Sequence, residues 1–482
     1  QGTGSSVGKT LIVAGLCRIF AQDGYRVSPF KSQNMALNSF VDIEGFELSR
    51  GTVIQAEAGY EIPRAFMNPI LLKPNSDNNS QVIINGKVAY TADAKNYFSN
   101  SKELKKIALE TYKNNIENNF DIAVLEGGGS PAEINLREYD LVNMGMAELV
   151  DSPVILVGNI DIGGVFAAIY GTVMLLDEND RKRIKGYIIN KFRGDSDLLN
   201  PAIEILDKKF KDEGLDIKFL GVLPYADLKI EEEDSLSDED KRVYSDDKKY
   251  INISIIKTKK MSNFTDFHPF KQYDDVRVKY IYDVKDLGDE DIIIFPGSKN
   301  TIADLEDLKK RGIFEKVKEL KEKGKIIIGI CGGLQMLGKK IYDLKHLESD
   351  ILETEGFNFF DYETTFDEIK KTEQVTKKIE VIEGILKDFN GYEIKGYEIH
   401  QGVTNILTPI ICKDNVFATY IHGIFDNSKF TNDFLNMIRK QKNMPERKEI
   451  LSFNEFKERE YDKLAKLLRE NLDIKEIYRI LD

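Results

Sequence analysis

Two short stretches, Gly329-Ile330-Cys331-Gly332-Gly333 and Ala418-Thr419-Tyr420-Ile421-His422-Gly423, carry the clearest covalent chemistry in this 482-residue chain; the cysteine and the histidine are 91 positions apart (422 − 331). Apolar Ile326, Ile327, Ile328 and Ile330 run into the cysteine, and Leu334-Gln335-Met336-Leu337 runs out of it. Cys331 is therefore expected on a tight strand-to-helix turn, a nucleophile elbow with sulfur in place of oxygen. Glycines let the backbone take that turn, and the helix start favours the thiolate and offers N–H groups to an oxyanion. The sulfur would attack an acyl carbon with His422, at the end of a second strand, as its base. Gly332, with Gly297 or Ser298 from the strand end Pro296-Gly297-Ser298, are the expected oxyanion donors. As third member, Asp426 and Glu398 are both candidates and neither spacing selects one; a thiol–imidazole pair can also act without a fixed carboxylate. Singly, each residue reads as a buried cysteine or a satisfied histidine. The pair, with glycines at both, points to catalysis.

A second chemistry lies at the other end. Residues 1–10 read QGTGSSVGKT, a variant of the phosphate-loop signature with Thr3 in the place of its first glycine. Gly4, Gly8 and the serines between them leave backbone N–H groups for phosphate oxygens, and a helix beginning at Lys9 aims its positive end at them. Lys9 would neutralise the outer phosphates of ATP and Thr10 would hold Mg²⁺. The stretch 121–125, DIAVL, reads as a buried strand that ends in Glu126 followed by three glycines, which makes Glu126 the expected second Mg²⁺ ligand. Lys31, Gln33 and Asn34 follow a short strand, at the edge where open parallel sheets bind ligands, and are candidates for phosphate or substrate. Asp140 is a candidate to orient substrate or metal, with a surface salt bridge as an equal alternative. Residues 67–74, MNPILLKP, are expected to be an irregular wall of the site.

These residues need two scaffolds, and the length allows two. Strand and helix patterns alternate over 1–225, an α/β domain with a doubly wound parallel sheet and a nucleotide at its first loop. Residues 226–249 are acid-rich and read as a solvated linker. A second α/β alternation over 250–445 carries the cysteine and histidine, and 446–482 reads as an amphipathic helical tail closing onto a core. Because a phosphate loop normally follows a buried strand, a short strand is expected upstream of Gln1. A net charge of −13 argues against a sequence-independent grip on nucleic acid or an anionic membrane. No apolar run has the length of a membrane span, and Cys17, Cys331 and Cys412 show no metal-ligand or paired spacing, which fits a cytoplasmic protein.

Several segments together resemble the glutamine-dependent cobyric acid synthases of corrinoid biosynthesis. They include Gln1-Gly2-Thr3 with Gly8-Lys9-Thr10, PFKSQNM at 29–35, LEGGGSPAEINL at 125–136, NKFRGD at 190–195, SNFTDF at 262–267, PGSKNTIA at 296–303, GYEIHQG at 396–402 and the segments around Cys331 and His422. The resemblance implies an N-terminal dethiobiotin-synthetase-like domain and a C-terminal class I amidotransferase domain with Cys331 and His422 as the active pair. It also implies amidation of the b, d, e and g carboxylates of adenosylcobyrinic acid a,c-diamide with L-glutamine and ATP. Ile424 occupies the place of the glutamate usual two residues after the histidine in other class I amidotransferases, as in the resembled family. Gly163 and His268 depart from that family's common arginine and acid. Asp266-x-His268 is also close to a corrinoid-cofactor loop, but Lys271 takes its glycine position; the corrinoid is read as substrate, held without a protein–cobalt bond. A homo-oligomer is compatible with all of this. The nearest rival is cobyrinic acid a,c-diamide synthase, with both site types. A partitioning ATPase lacks the cysteine–histidine half, and an inactive scaffold would be indifferent to loss of the thiol.

Overall fold

Unbroken isoleucine runs are what a sheet covered on both faces requires, and they build the centre of the second domain. In the computed structural model, which describes residues 1–75, 79–231, 249–381, 383–448 and 451–481, strands Ile292–Phe295 and Ile326–Ile330 are buried at every position. They are the two central strands of a six-stranded sheet ordered Val276–Ile281, Ile251–Ile256, Ile292–Phe295, Ile326–Ile330, Val416–Thr419, Ile410–Lys413, parallel except for the last pair. Helices Thr301–Lys310, Ile313–Glu322 and Ser428–Gln441 contribute apolar residues to the same core. A long antiparallel hairpin, Glu363–Lys378 with Glu393–Thr404, leaves this domain and reaches the first.

In the first domain, strands Val27–Phe30 and Ile122–Leu125 pair in parallel, and Val154–Asn159, Ile184–Phe192 and Lys218–Pro224 form a second parallel group. The opening residues lie between the groups: Thr3 N–H donates to Val157 O, and Val157 N–H to Gln1 O, both at 2.9 Å. Helix Lys9–Gln22 follows the phosphate loop, entered through Gly8 at φ 96°, where a left-handed backbone favours glycine.

Two local expectations are corrected. Residues 70–74 are regular, a strand Ile70–Pro74 paired with Gln33–Met35 on one side and Asn79–Ile84 on the other. Its prolines sit before the strand and at its end, where a missing N–H is tolerated. The acid-rich stretch is not solvated at its start: Ile230 and Glu231 are buried, and Glu231 forms a two-pronged ion pair with buried Arg50 at 2.6 and 2.7 Å. The rest of that stretch, 232–248, lies outside the described residues.

The tail helix Phe453–Asn471 opens with a capping box at Ser452 and Glu455 and packs on helix Lys9–Gln22. Tyr461, Leu464 and Leu468 are buried there, and Gly15 lets Leu468 approach: a Cβ on Gly15 would lie 2.5 Å from its Cδ2. Buried Arg18 binds Glu458 and Asp462 at 2.7 and 2.8 Å.

Candidate active site

Cys331 sits at φ 52°, ψ −105° between strand Ile326–Ile330 and the short helix Gly332–Leu337, a strained turn for a residue with a side chain. The flanking glycines are needed for close approach: a Cβ on Gly333 would lie 2.0 Å from Phe295 O and one on Gly329 2.7 Å from Gly333 C. Gly332 lies against Ser298, where its Cβ would meet Ser298 N at 2.7 Å, and a Cβ on Gly297 would come 3.3 Å from His422 Cε1. The residues expected to donate to an oxyanion thus flank the sulfur and the imidazole.

His422 lies three residues past strand Val416–Thr419, pinned by reciprocal backbone hydrogen bonds with Tyr397, whose ring stacks on the imidazole. Its Nδ1 lies 2.7 Å from Asp266 Oδ2, and Gly423 N–H donates to Asp266 Oδ1 at 2.9 Å. The orienting carboxylate is therefore Asp266, and both sequence candidates are corrected. Glu398 binds Lys371 and approaches His400, while Asp426 is half-buried near Gly423, where lost hydration pushes its carboxyl up to about 7. Burial works against a charged His422, but the Asp266 carboxylate and the nearby Cys331 outweigh it and raise the imidazole to about 10.

Cys331 and His422 line a pocket of about 40 Å³ that also holds Lys299, Glu348 and Gln401. Lys299 Nζ lies 3.3 Å from Glu348 Oε1 and 3.4 Å from Gln401 Oε1. Glu348 Oε2 is buried without a hydrogen-bond partner among the described residues, and burial raises its carboxyl above the ordinary range. A cation beside an incompletely used carboxylate has the polarity to receive an α-carboxylate and an α-ammonium.

The second site is a cleft of about 1290 Å³ between the domains, above the usual ~300–1,000 Å³ of a single-ligand pocket. The phosphate loop, Lys31, Gln33, Asn34, Glu126 and Asp140 line it from the first domain, and Thr258, Met261, Phe264, Thr265 and His268 contribute from the second. Thr10 Oγ1 donates to Glu126 Oε1 at 3.0 Å, so the two expected metal ligands meet at one point. Lys31 Nζ reaches the same oxygen at 3.1 Å, and its charge helps hold the Glu126 carboxyl below its ordinary value despite burial. Lys9 Nζ donates to Gly4 O and Gly129 O, which places it across the loop mouth. Among the described residues no three histidine, cysteine or acidic side chains converge as a metal cage, so a cation at Thr10 and Glu126 would take its other ligands from phosphate and water.

The profile of the CobQ/CobB/MinD/ParA nucleotide binding domain matches residues 1–236, and that of the CobB/CobQ-like glutamine amidotransferase domain matches residues 252–430. A cobyric acid synthase of Caldanaerobacter subterraneus subsp. tengcongensis is 46% identical over all of this chain and 98% of its own length. Those of Clostridium novyi and Alkaliphilus metalliredigens are each 48% identical, again over all of this chain and over 97% and 99% of theirs. The chain belongs to the cobyric acid synthase family. It is a glutamine-dependent, amide-forming ligase with a nucleotide-binding domain.

Within this cobyric acid synthase fold, some candidates have employment other than the one expected. Asp140 uses both oxygens on backbone N–H groups of Val142, Asn143 and Gly145 at 2.8–3.0 Å, which caps a turn at the cleft edge rather than extending a charge into it. Gln33 accepts from Tyr97 Oη at 2.6 Å and Asn34 caps Met35 N–H. His268 Nε2 is 2.8 Å from Lys229 O, and burial lowers its ring to about 3, so it is neutral at neutral pH. Sequence reasoning missed Asp266, Glu348 and Lys299. An acid inside the apolar Phe264-Thr265-Asp266-Phe267 run was the available signal for the first. No helix is long and apolar enough to cross a membrane among the described residues.

Proposed function

We propose that this chain converts adenosylcobyrinic acid a,c-diamide to adenosylcobyric acid by amidating its b, d, e and g carboxylates with ATP and glutamine. Carrying this reading is one arrangement: a Cys331–His422–Asp266 site and a phosphate-loop cleft, on opposite sides of one thin wall. Lys299, Glu348 and Gln401 hold the amino-acid head of glutamine. The Cys331 sulfur attacks its side-chain amide carbon, the carbonyl oxygen takes the charge beside Gly332 and Gly297–Ser298, and His422 passes its proton to the departing nitrogen. Ammonia leaves, and water cleaves the thioester to glutamate and free thiol.

In the cleft, a substrate carboxylate oxygen takes the terminal phosphoryl group of ATP, giving ADP and an acyl phosphate. Ammonia adds to that carbonyl carbon, loses a proton and expels phosphate, leaving the amide. Lys9 and the loop N–H groups bind the phosphates, and Lys31 adds positive charge on the other side. Mg²⁺ bound by Thr10 and Glu126 would neutralise charge on the transferring phosphoryl group. The corrinoid is held at its periphery, without a protein–cobalt bond, and released between amidations; free, partly amidated corrinoids are expected during turnover.

Mass spectrometry of the diamide after incubation with ATP, Mg²⁺ and either glutamine or ammonium salt tests the scheme. Cys331→Ser should abolish only the glutamine reaction, and Lys9→Ala should impair both. Normal glutamine-dependent amidation by Cys331→Ser would overturn it.

A further inference from the structure

The wall between the glutamine pocket and the nucleotide cleft consists of chain segments whose neighbouring residues face opposite ways. In 261–265, Ser262 and Asn263 line the pocket, whereas Met261, Phe264 and Thr265 line the cleft. Lys73 lines the pocket and Pro74 the cleft. Asn38 lines the cleft, and next to it Ser39 is buried inside the wall, its hydroxyl accepting from Lys73 Nζ at 2.7 Å and its N–H donating to Asn263 Oδ1 at 3.2 Å. Phe264 N–H donates to Asn38 Oδ1 at 3.1 Å, which closes the seam. Here adjacent residues of one segment face the two spaces.

We propose that ammonia released at Cys331 crosses this wall between Ser39, Lys73 and Asn263, with the Lys73 side chain as the gate. The inference rests on the reading that nitrogen made at Cys331 is used in the nucleotide cleft. A hydroxyl, an amide and backbone groups line the crossing, so a small neutral base keeps hydrogen-bond partners throughout. Charge decides the form that passes. Lys73, Lys299 and Lys370 border the pocket with Glu47 and Glu348 as their counter-charges, so it is the far larger cost of taking an ammonium ion out of water that leaves neutral NH₃ as the form that crosses. Lys73 has an alternative anchor, since it also pairs with buried Glu47, so its bond to Ser39 can break without leaving the ammonium unpaired. Its strand, Ile70–Pro74, pairs with Gln33–Met35, which lines the cleft; a ligand seated there acts on the strand that carries the gate.

Ser39→Leu fills the crossing without touching the sulfur or the phosphate loop. Three rates are read on the whole enzyme: glutamate release, amidation from ammonium chloride and amidation from glutamine. The expected result is a fall of about ten-fold or more in the third, with the first two within about two-fold of wild type, so that glutamate accumulates in excess over amide. Proportional retention of all three would show that ammonia goes elsewhere and would overturn the route. If the larger side chain lowers all three through misfolding, Ser39→Ala decides, because it removes only the hydroxyl that Lys73 holds. It should raise glutamate formed per amide from one toward about two or more, and an unchanged ratio overturns the gate. Failure of wild-type enzyme to amidate from ammonium at all would instead sink the underlying two-site reading.

Discussion

Asp266 sets the proton on His422, and the prediction at this scale follows from its 2.7 Å contact. Asp266→Asn should lower glutamine-dependent amidation by about 10²–10⁴-fold, the range for a general acid–base group, while amidation from ammonium stays near wild type. The same contact has a signature in stability. Because the folded imidazole is raised to about 10 from an ordinary 6.5, the folded state binds this proton more tightly; the stabilisation is complete below pH 6.5 and is lost as pH rises toward 10. Denaturant midpoints between pH 6 and 10 should therefore fall more steeply for wild type than for Asp266→Asn, and parallel curves would contradict the assignment. Cys331 and His422 were legible in the sequence because glycines and apolar runs mark each locally. Asp266 was not: it lies 156 positions from its partner, in a stretch of 3₁₀ turns with no period to place it on a face.

Among the elements, strands were read most easily and their exact employment least. The isoleucine runs of the second domain announce a doubly covered sheet, whereas strand Ile70–Pro74 was hidden by two prolines that fall at positions where a strand accepts them. Amphipathic spacing also announced the tail helix, but its docking ground on helix Lys9–Gln22, made possible by the bare Gly15 surface, is a long-range fact with no local sign. Two predictions belong here. Leu468→Ala should destabilise the first domain by about 2–5 kcal/mol, seen in chemical denaturation, since it empties a buried contact on the helix that follows the phosphate loop. Gly333→Ala should cost soluble, active enzyme, because its methyl group would lie 2.0 Å from a backbone oxygen that has no room to move; wild-type yield and glutaminase rate would refute the close packing of the elbow.

For the whole molecule, the two domains are joined through buried charge: Glu47 of the first accepts from its own Lys73 and from Lys370 of the second domain's long hairpin. The two ammonium groups hold the Glu47 carboxyl down at about 2 against the pull of burial. This stabilisation is present above the ordinary 4.5 and fades as pH falls through it toward 2. Burial already lowers the Lys370 ammonium to about 7 with Glu47 beside it, so Glu47→Gln leaves Lys73 without its counter-charge and Lys370 free to lose its proton. The substitution should cost about 3 kcal/mol, with loss of the acid-side slope in a pH–stability profile, and an unchanged profile would show that the triple does not bind the domains. None of this junction was legible from sequence, because its members come from three distant segments. A related long-range contact bears on how the protein is made. Arg18 of the first helix awaits Asp462, 444 residues further on, so at about 5–20 residues per second the ribosome leaves that helix's apolar flank bare for roughly 20–90 s. The nascent nucleotide domain is thus a natural client for chaperones until the distant helix emerges to cover it.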